Sequence, residues 1–185
     1  MYMTMSTKTN FNDDEHYTSE DYGLNELVEG GLAPLRPASD EHGAYELNVA
    51  LALRMFADAH GLGKVRTGDV GIMTKREPTT VLTADVVFIS NKRYAQKSGK
   101  GFLPFAPDLV VEVVTPEYSR AALSQKLAAY FAIEVRLVWV LDAESRTVFA
   151  YTATNEVQTF GPDDTLTGEP VLPGLRVAVA SLFEV

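Results

Sequence analysis

At 185 residues, 46% of them hydrophobic and 22% charged, the chain can bury one sizeable core and has the balance of an ordinary globular protein. Cysteine is absent, which excludes disulfides and thiolate metal sites, and three histidines without cysteine argue against zinc. The formal net charge of −9 weighs against broad electrostatic binding of nucleic acid, because neutralising phosphates needs clustered Lys and Arg.

The first residues, "MYMTMSTKTNFNDDEHYTSEDYG", carry no basic-then-apolar leader, and no run approaches the roughly 18 apolar residues of a membrane span. A cytoplasmic location without membrane contact is the expectation. Residues 1–17 are polar and aperiodic, which predicts a disordered tail, and residues 18–185 are expected to form a single domain. Thr18 or Ser19 can cap a short helix. "NELVEGGLAPLRPAS" then reads as two short strands around a Gly30-Gly31 turn.

A helix is predicted from Asp40 to His60, capped by Asp40, weakened at Gly43 and closed by Gly61. Val49, Ala52, Leu53, Phe56 and Ala57 fill its wide apolar side, with Leu47, Ala50, Leu51 and Arg54 along one flank. "GKVRTGDVGIMT" and "TTVLTADVVFIS" follow as an antiparallel pair across "KREP", and "NKRYAQKSGKGFLPFAP" reads as a loop. "DLVVEVVT" is almost continuously apolar, as a central strand covered on both faces should be. A helix opens after Pro116, "VRLVWVLDAESRTVFAYTAT" makes a hairpin, and the tail holds a strand, turns and a short final helix. This order predicts an α/β (α+β) domain on a mixed central β-sheet flanked by helices. Trp139 is assigned to the core or an interface.

The central strand poses the chemical question, because Asp108 and Glu112 share one of its faces. They lie about 13 Å apart, too far to share one ion. Asp85, at the start of "TADVVFIS", is the better partner, since a neighbouring strand about 4.8 Å away brings it beside Glu112. Two carboxylates held together repel, and Mg²⁺ or Mn²⁺ would neutralise them. The alternative is that each caps a strand end or pairs with an arginine. Ala122, Lys126 and Tyr130 share one helix flank, so Lys126 either reaches back to the sheet or stays solvated. His42 and Glu46, one turn apart, either contribute to a metal site or mark the core boundary. Glu26 is an exposed acid unless something recruits it. No phosphate loop, dinucleotide fingerprint or nucleophile elbow is present.

The stretches "NELVEGGL", "SDEH", "TADVVFIS", "PDLVVEVVTP", "QKLAAYFAIEVRLVWVLD", "TVFAY" and "LPGLRVAVASLF" together resemble the Uma2 family (DUF820) of restriction-endonuclease-like proteins, a branch of the PD-(D/E)XK nuclease superfamily. The likeness runs from about Tyr17 to Val185. It implies a restriction-endonuclease-like core with Mg²⁺-binding acids on adjacent strands. Asp85 and Glu112 match the family's metal acids and Lys126 its helix lysine, while Glu26 and His42 match residues that line the site. Pro107 and Asp108 spell the superfamily's "PD", but the resemblance assigns the metal aspartate to Asp85. Val114 stands where the superfamily places a lysine, so that function passes to Lys126. Ala84 replaces a proline, Glu134 a glycine and Thr115 a serine.

The implied activity is metal-dependent hydrolysis of phosphodiester bonds in DNA. Lys92, Arg93, Lys97 and Lys100 either offer a basic lip or belong to an ordinary solvated loop. A nuclease-fold binding or assembly module that no longer cleaves is one rival. A metal-dependent hydrolase of a small phosphorylated substrate is another. A homodimer is expected, since duplex cleavage needs two sites and the C-terminal hairpin is rich in apolar residues.

Overall fold

The computed structural model describes residues 25–185, apart from positions 36 and 117, so the tail and the short helix expected near Thr18 lie outside the described residues. Strands β1 (Asn25–Val28) and β2 (Gly31–Pro34) form the expected antiparallel hairpin. The turn falls at Glu29 and Gly30, one residue before the expected Gly30-Gly31, because Gly31 already pairs with Val28; φ of 50° and 79° make the left-handed pair that such a tight turn demands.

Helix α1 (Asp40–Ala59) is capped one residue earlier than expected, by Ser39 rather than Asp40. Ser39, in extended backbone, accepts from the N–H of His42 at 3.2 Å, while Asp40 supplies a favourable charge in the first turn. Gly61 closes the helix with φ of 63°. Tyr45, Val49, Ala50, Leu53 and Ala57 are buried, with Ala52 and Phe56 partly so; Leu47, Leu51 and Met55 remain exposed.

Strands β3 (Gly63–Lys75) and β4 (Thr80–Ser90) make the long antiparallel pair, interrupted by a bulge between Thr67 and Val70. Because β4 begins at Thr80, Asp85 lies in its middle rather than at its start. The expected loop holds a short helix, α2 (Asn91–Tyr94), which Ser90 caps by accepting from the N–H of Arg93, and Leu103 bridges back to Ile72. Strand β5 (Leu109–Val114) is central, antiparallel to β4 and parallel to β6 (Leu137–Asp142). Helix α3 (Arg120–Ala132) provides the crossover that a parallel pair requires. Strands β7 (Thr147–Ala153) and β8 (Glu156–Phe160) complete a mixed eight-stranded sheet of order β2-β1-β4-β5-β6-β7-β8, with β3 also on β4. The tail contains more strand than expected: β9 (Thr165–Gly168) and β10 (Leu172–Ala178) pair as a separate sheet before α4 (Val179–Leu182).

The central sheet divides the core. Tyr45, Val49 and Leu53 of α1 pack with Phe88, Val111, Trp139 and the residues of β9 and β10 on one face. Leu127 and Tyr130 of α3 pack with Val87, Val110 and Val138 on the other. Trp139 is therefore core. The apolar residues of the C-terminal pair, Leu166, Leu172, Leu175 and Val177, are buried in this core rather than offered to a partner. Glu134, where the resemblance places a glycine, has φ of 69°, which explains the family preference. No helix among the described residues is long and apolar enough to cross a membrane.

Two glycines make opposite predictions. A Cβ on Gly63 would lie 2.1 Å from the backbone oxygen of Ile89, so Gly63→Ala should destabilise by about 1–3 kcal/mol. A Cβ on Gly43, inside α1, meets nothing within 4 Å, so Gly43→Ala should stabilise by roughly 0.5–1 kcal/mol. Urea denaturation of both variants checks the opposite signs.

Candidate active site

The site lies where β4 changes partners along one edge. Strand β5 pairs with β4 from Val86 to Phe88, and β1 pairs with it at Val81, leaving Thr83 between them. A buried peptide group must still find partners, and here side chains provide them. The Thr83 N–H and hydroxyl both donate to Glu26 Oε1 at 2.9 Å. Its carbonyl accepts from Lys126 Nζ at 2.9 Å and from the Tyr130 hydroxyl at 2.7 Å. Sheet and α3 are thus joined through one residue.

Glu112 is the most deeply buried of the expected acids, 3% exposed. One step along the register from Val86–Val111 sets Asp85 opposite it, as the sequence suggested. The Tyr130 hydroxyl, whose single proton is shared between the Thr83 carbonyl and this carboxyl group, lies 2.6 Å from Glu112 Oε1, and Lys126 Nζ lies 3.2 Å from Glu112 Oε2 and 3.0 Å from Glu26 Oε1. The three ammonium protons thus meet Thr83 O, Glu26 and Glu112, with the Tyr118 hydroxyl also interacting with the ammonium. Burial pushes the Glu112 carboxyl up to about 7, with Asp85 adding to the effect and Lys126 and Tyr130 pulling against it. Burial alone would lower Lys126, but the Glu112 and Glu26 carboxylates prevail and raise it, so it is a firm cation. Tyr130 is raised well above its ordinary value by burial and the Glu112 charge. Tyr118, on the cavity wall, is pushed up to about 12, chiefly by burial.

Asp85 faces a second group. Its Oδ2 accepts from the N–H of Val113 at 2.6 Å and lies 3.5 Å from His42 Nε2. Glu46 is held by the Thr67 hydroxyl and by the Gly68 N–H at 2.8 Å, so the β3 bulge grips the α1 acid. His42, Glu46 and Asp85 each offer a ligand atom within 4.8 Å of the others. The hydrogen bond to Asp85 raises His42 against the pull of burial, and the charges of Asp85, Glu46 and Asp69 add to it. Asp69 is raised by burial and then by Asp85 and Glu46. Three carboxylates around one imidazole, whose Nδ1 is buried without a hydrogen-bond partner, form a donor set short of positive charge. Oxygen donors with one imidazole fit a divalent cation such as Mn²⁺ or Mg²⁺.

All six residues singled out in the sequence (Glu26, His42, Glu46, Asp85, Glu112 and Lys126) line one cavity of about 1500 Å³. The structure divides them into two groups: His42, Glu46 and Asp85 converge, whereas Glu112 is tied to Lys126 and Tyr130. Asp69 was missed, although a glycine-acid pair inside a strand pattern, "TGDVG", signals a bulge; Asp69 has φ of 53° there. Asp108 lies apart, accepting from the N–H of Ser90 at 2.7 Å and facing Arg93 at 3.3 Å and Arg136 at 3.6 Å. The adjacent "PD" is an ion-pair anchor. Arg93 also donates to the carbonyls of Ala106, Pro107 and Glu134, and Lys97 Nζ is buried, so the expected basic lip keeps only Lys92 and Lys100 as exposed cations.

The Glu112 environment has a pH consequence. Between 4.5 and about 7 the folded protein holds a proton that the unfolded chain has released, so stability contributed by this group falls as pH rises through that window. The full difference amounts to about 3 kcal/mol. In EDTA, Glu112→Gln should flatten the stability profile between pH 5 and 8, measured by urea denaturation at each pH.

A family model described as Uma2, "Putative restriction endonuclease", matches residues 15–180. Among solved structures, a putative nuclease belonging to DUF820 from Anabaena variabilis ATCC 29413 aligns with a TM-score of 0.73 and 16% identity, covering 86% of this chain and 89% of that one. At that identity the likeness shows the fold, which is restriction-endonuclease-like. No curated protein matches. With the family match spanning most of its length and the fold agreeing, the chain belongs to the Uma2 family.

Proposed function

We propose that the protein is a metal-dependent endonuclease that hydrolyses phosphodiester bonds, with DNA as its substrate. The observation that carries this reading is the pairing, in one cavity, of a cation-deficient donor group (His42, Glu46 and Asp85) with the buried Lys126–Glu112 pair. The cavity, about 1500 Å³, exceeds the roughly 300–1,000 Å³ of small-molecule pockets, which favours a polymer segment over a small phosphorylated substrate.

His42, Glu46 and Asp85 would hold the ion, with Asp69 adding negative charge beside them. A bound Mg²⁺ or Mn²⁺ supplies Lewis acidity toward a phosphodiester oxygen and makes water a better nucleophile. Lys126 contributes fixed positive charge in a water-poor site, where it stabilises developing charge on a phosphoryl oxygen. Glu112, oriented by Tyr130 and with its carboxyl pushed up to about 7, is suited to exchange a proton with water at neutral pH. The Glu112 role thus moves from the metal ligand inferred from sequence to proton transfer. The proposal includes a homodimer, since cutting a duplex needs two sites. Leu47, Leu51 and Met55, exposed at four-residue spacing along α1, are its candidate contact. A monomeric mass by light scattering at micromolar concentration removes the dimer.

Supercoiled plasmid and single- and double-stranded oligonucleotides should be cut with Mg²⁺ or Mn²⁺ and not with EDTA. Glu46→Gln and Glu112→Ala should each slow cutting by about 100-fold or more. Cutting that persists in EDTA or in both variants refutes the assignment. Calorimetry separates the two acids: Glu46→Gln and Asp85→Asn should weaken Mn²⁺ binding by about tenfold or more, and Glu112→Gln by less than about threefold.

A further inference from the structure

Three donors converge on a single atom: the Thr83 N–H at 2.9 Å, the Thr83 hydroxyl at 2.9 Å and Lys126 Nζ at 3.0 Å all meet Glu26 Oε1. A backbone amide, a hydroxyl and an ammonium aimed at one oxygen make an anion cradle of the kind that stabilises oxyanions. The cradle belongs to the body of the fold. Thr83 lies within β4 and is 8% exposed, and Lys126 is anchored by the Thr83 carbonyl and by Glu112, itself tied to Tyr130. Its occupant does not. Glu26 rides on the β1–β2 hairpin, which among the described residues joins β4 at the ladder position Leu27–Val81. Among the described residues β2 pairs with β1 and lies at the end of the strand order. The hairpin is also held by Gly30 N–H to the Thr79 carbonyl at 3.1 Å, by Glu29 N–H to the Thr80 hydroxyl at 3.2 Å and by the packing of buried Leu27 on Val81.

We propose that Thr83 and Lys126 form a phosphate-oxygen subsite, that the Glu26 carboxylate occupies it as a surrogate, and that the β1–β2 hairpin moves away with Glu26 when a phosphodiester enters. This rests on the phosphodiester reading of the cavity and adds what that reading lacks. As arranged, every ammonium proton of Lys126 is already committed, so Lys126 can reach a substrate oxygen only by releasing an acceptor. The Thr83 carbonyl is fixed in the sheet and Glu112 is buried and doubly held, which leaves Glu26. A phosphoryl oxygen and a carboxylate oxygen are both anionic acceptors, so the exchange keeps Lys126 paired and the two Thr83 donors satisfied.

The test uses the full chain in EDTA with inorganic phosphate as probe, titrated by calorimetry, so neither metal nor cleavage enters. Glu26→Gln keeps the shape and an acceptor but removes the charge, and should bind phosphate at least fivefold tighter than the wild type. Glu144→Gln removes one charge from the same cavity without touching the cradle, and should gain less than twofold. Adding Thr83→Val to Glu26→Gln should cancel the gain. In the unaltered protein, saturating phosphate should speed amide exchange over residues 25–34. Equal gains in Glu26→Gln and Glu144→Gln, a gain that survives Thr83→Val, or unchanged exchange in the hairpin would each overturn the proposal. A phosphate gain without any DNA cutting would sink the nuclease reading and leave the subsite standing; cutting with no phosphate gain would do the reverse.

Discussion

The site depends on one interruption in strand pairing. Strand β4 is flanked by β5 at Val86–Phe88 and by β1 at Val81, and the peptide groups of Thr83 face the gap. In a buried sheet such groups must be bonded, and an ordinary strand would have paired them with another backbone. Here Glu26, Lys126 and Tyr130 take that place, so the gap recruits an acid, a cation and a hydroxyl to one point. The same fork lets residues from opposite faces of the sheet meet. Helix α1 packs on one face and brings His42 and Glu46, while α3 packs on the other and brings Lys126.

Charge explains why these groups remain polar at such depth. A buried carboxylate without compensation is costly, and Glu112 is compensated by Lys126 and Tyr130. The second group is not compensated in the same way. His42 is surrounded by Asp85, Glu46 and Asp69, and Asp69 is raised first by burial and then by the charges of Asp85 and Glu46. On the proposed reading this contrast gives the two halves of the site different work, proton exchange at Glu112 and ion binding at His42, Glu46 and Asp85. An acidic body is compatible with a polyanionic substrate under these terms, since the charge the substrate meets would come from a bound ion and from Lys126.

Much of this was legible in the sequence because strand periodicity fixes faces. The alternation in "DLVVEVVT" placed Glu112 on one side of a central strand, and an antiparallel neighbour was enough to set Asp85 beside it. Helix spacing placed Lys126 and Tyr130 on one flank, and the structure turns that flank to the sheet. What pattern does not carry is lateral reach. Nothing in the spacing says that Asp85 Oδ2 lies 3.5 Å from His42 Nε2, because that depends on how α1 crosses the sheet. Asp69 was hidden for a similar reason, since a bulge reverses the facing rule just where it matters. The cap of α1 shifted from Asp40 to Ser39 because both side chains can cap and only backbone conformation chooses. The apolar residues of the C-terminal strands read as a surface in the sequence because the α1 residues that cover them lie more than a hundred positions away.

The account places the ion-binding group and the proton-handling group side by side on different residues. Anomalous scattering from crystals grown with Mn²⁺ tests this most directly. It predicts a peak within bonding distance of His42, Glu46 and Asp85, with Lys126 still paired to Glu112. A peak between Asp85 and Glu112 with Lys126 displaced, or no peak in the cavity at saturating Mn²⁺, would contradict it.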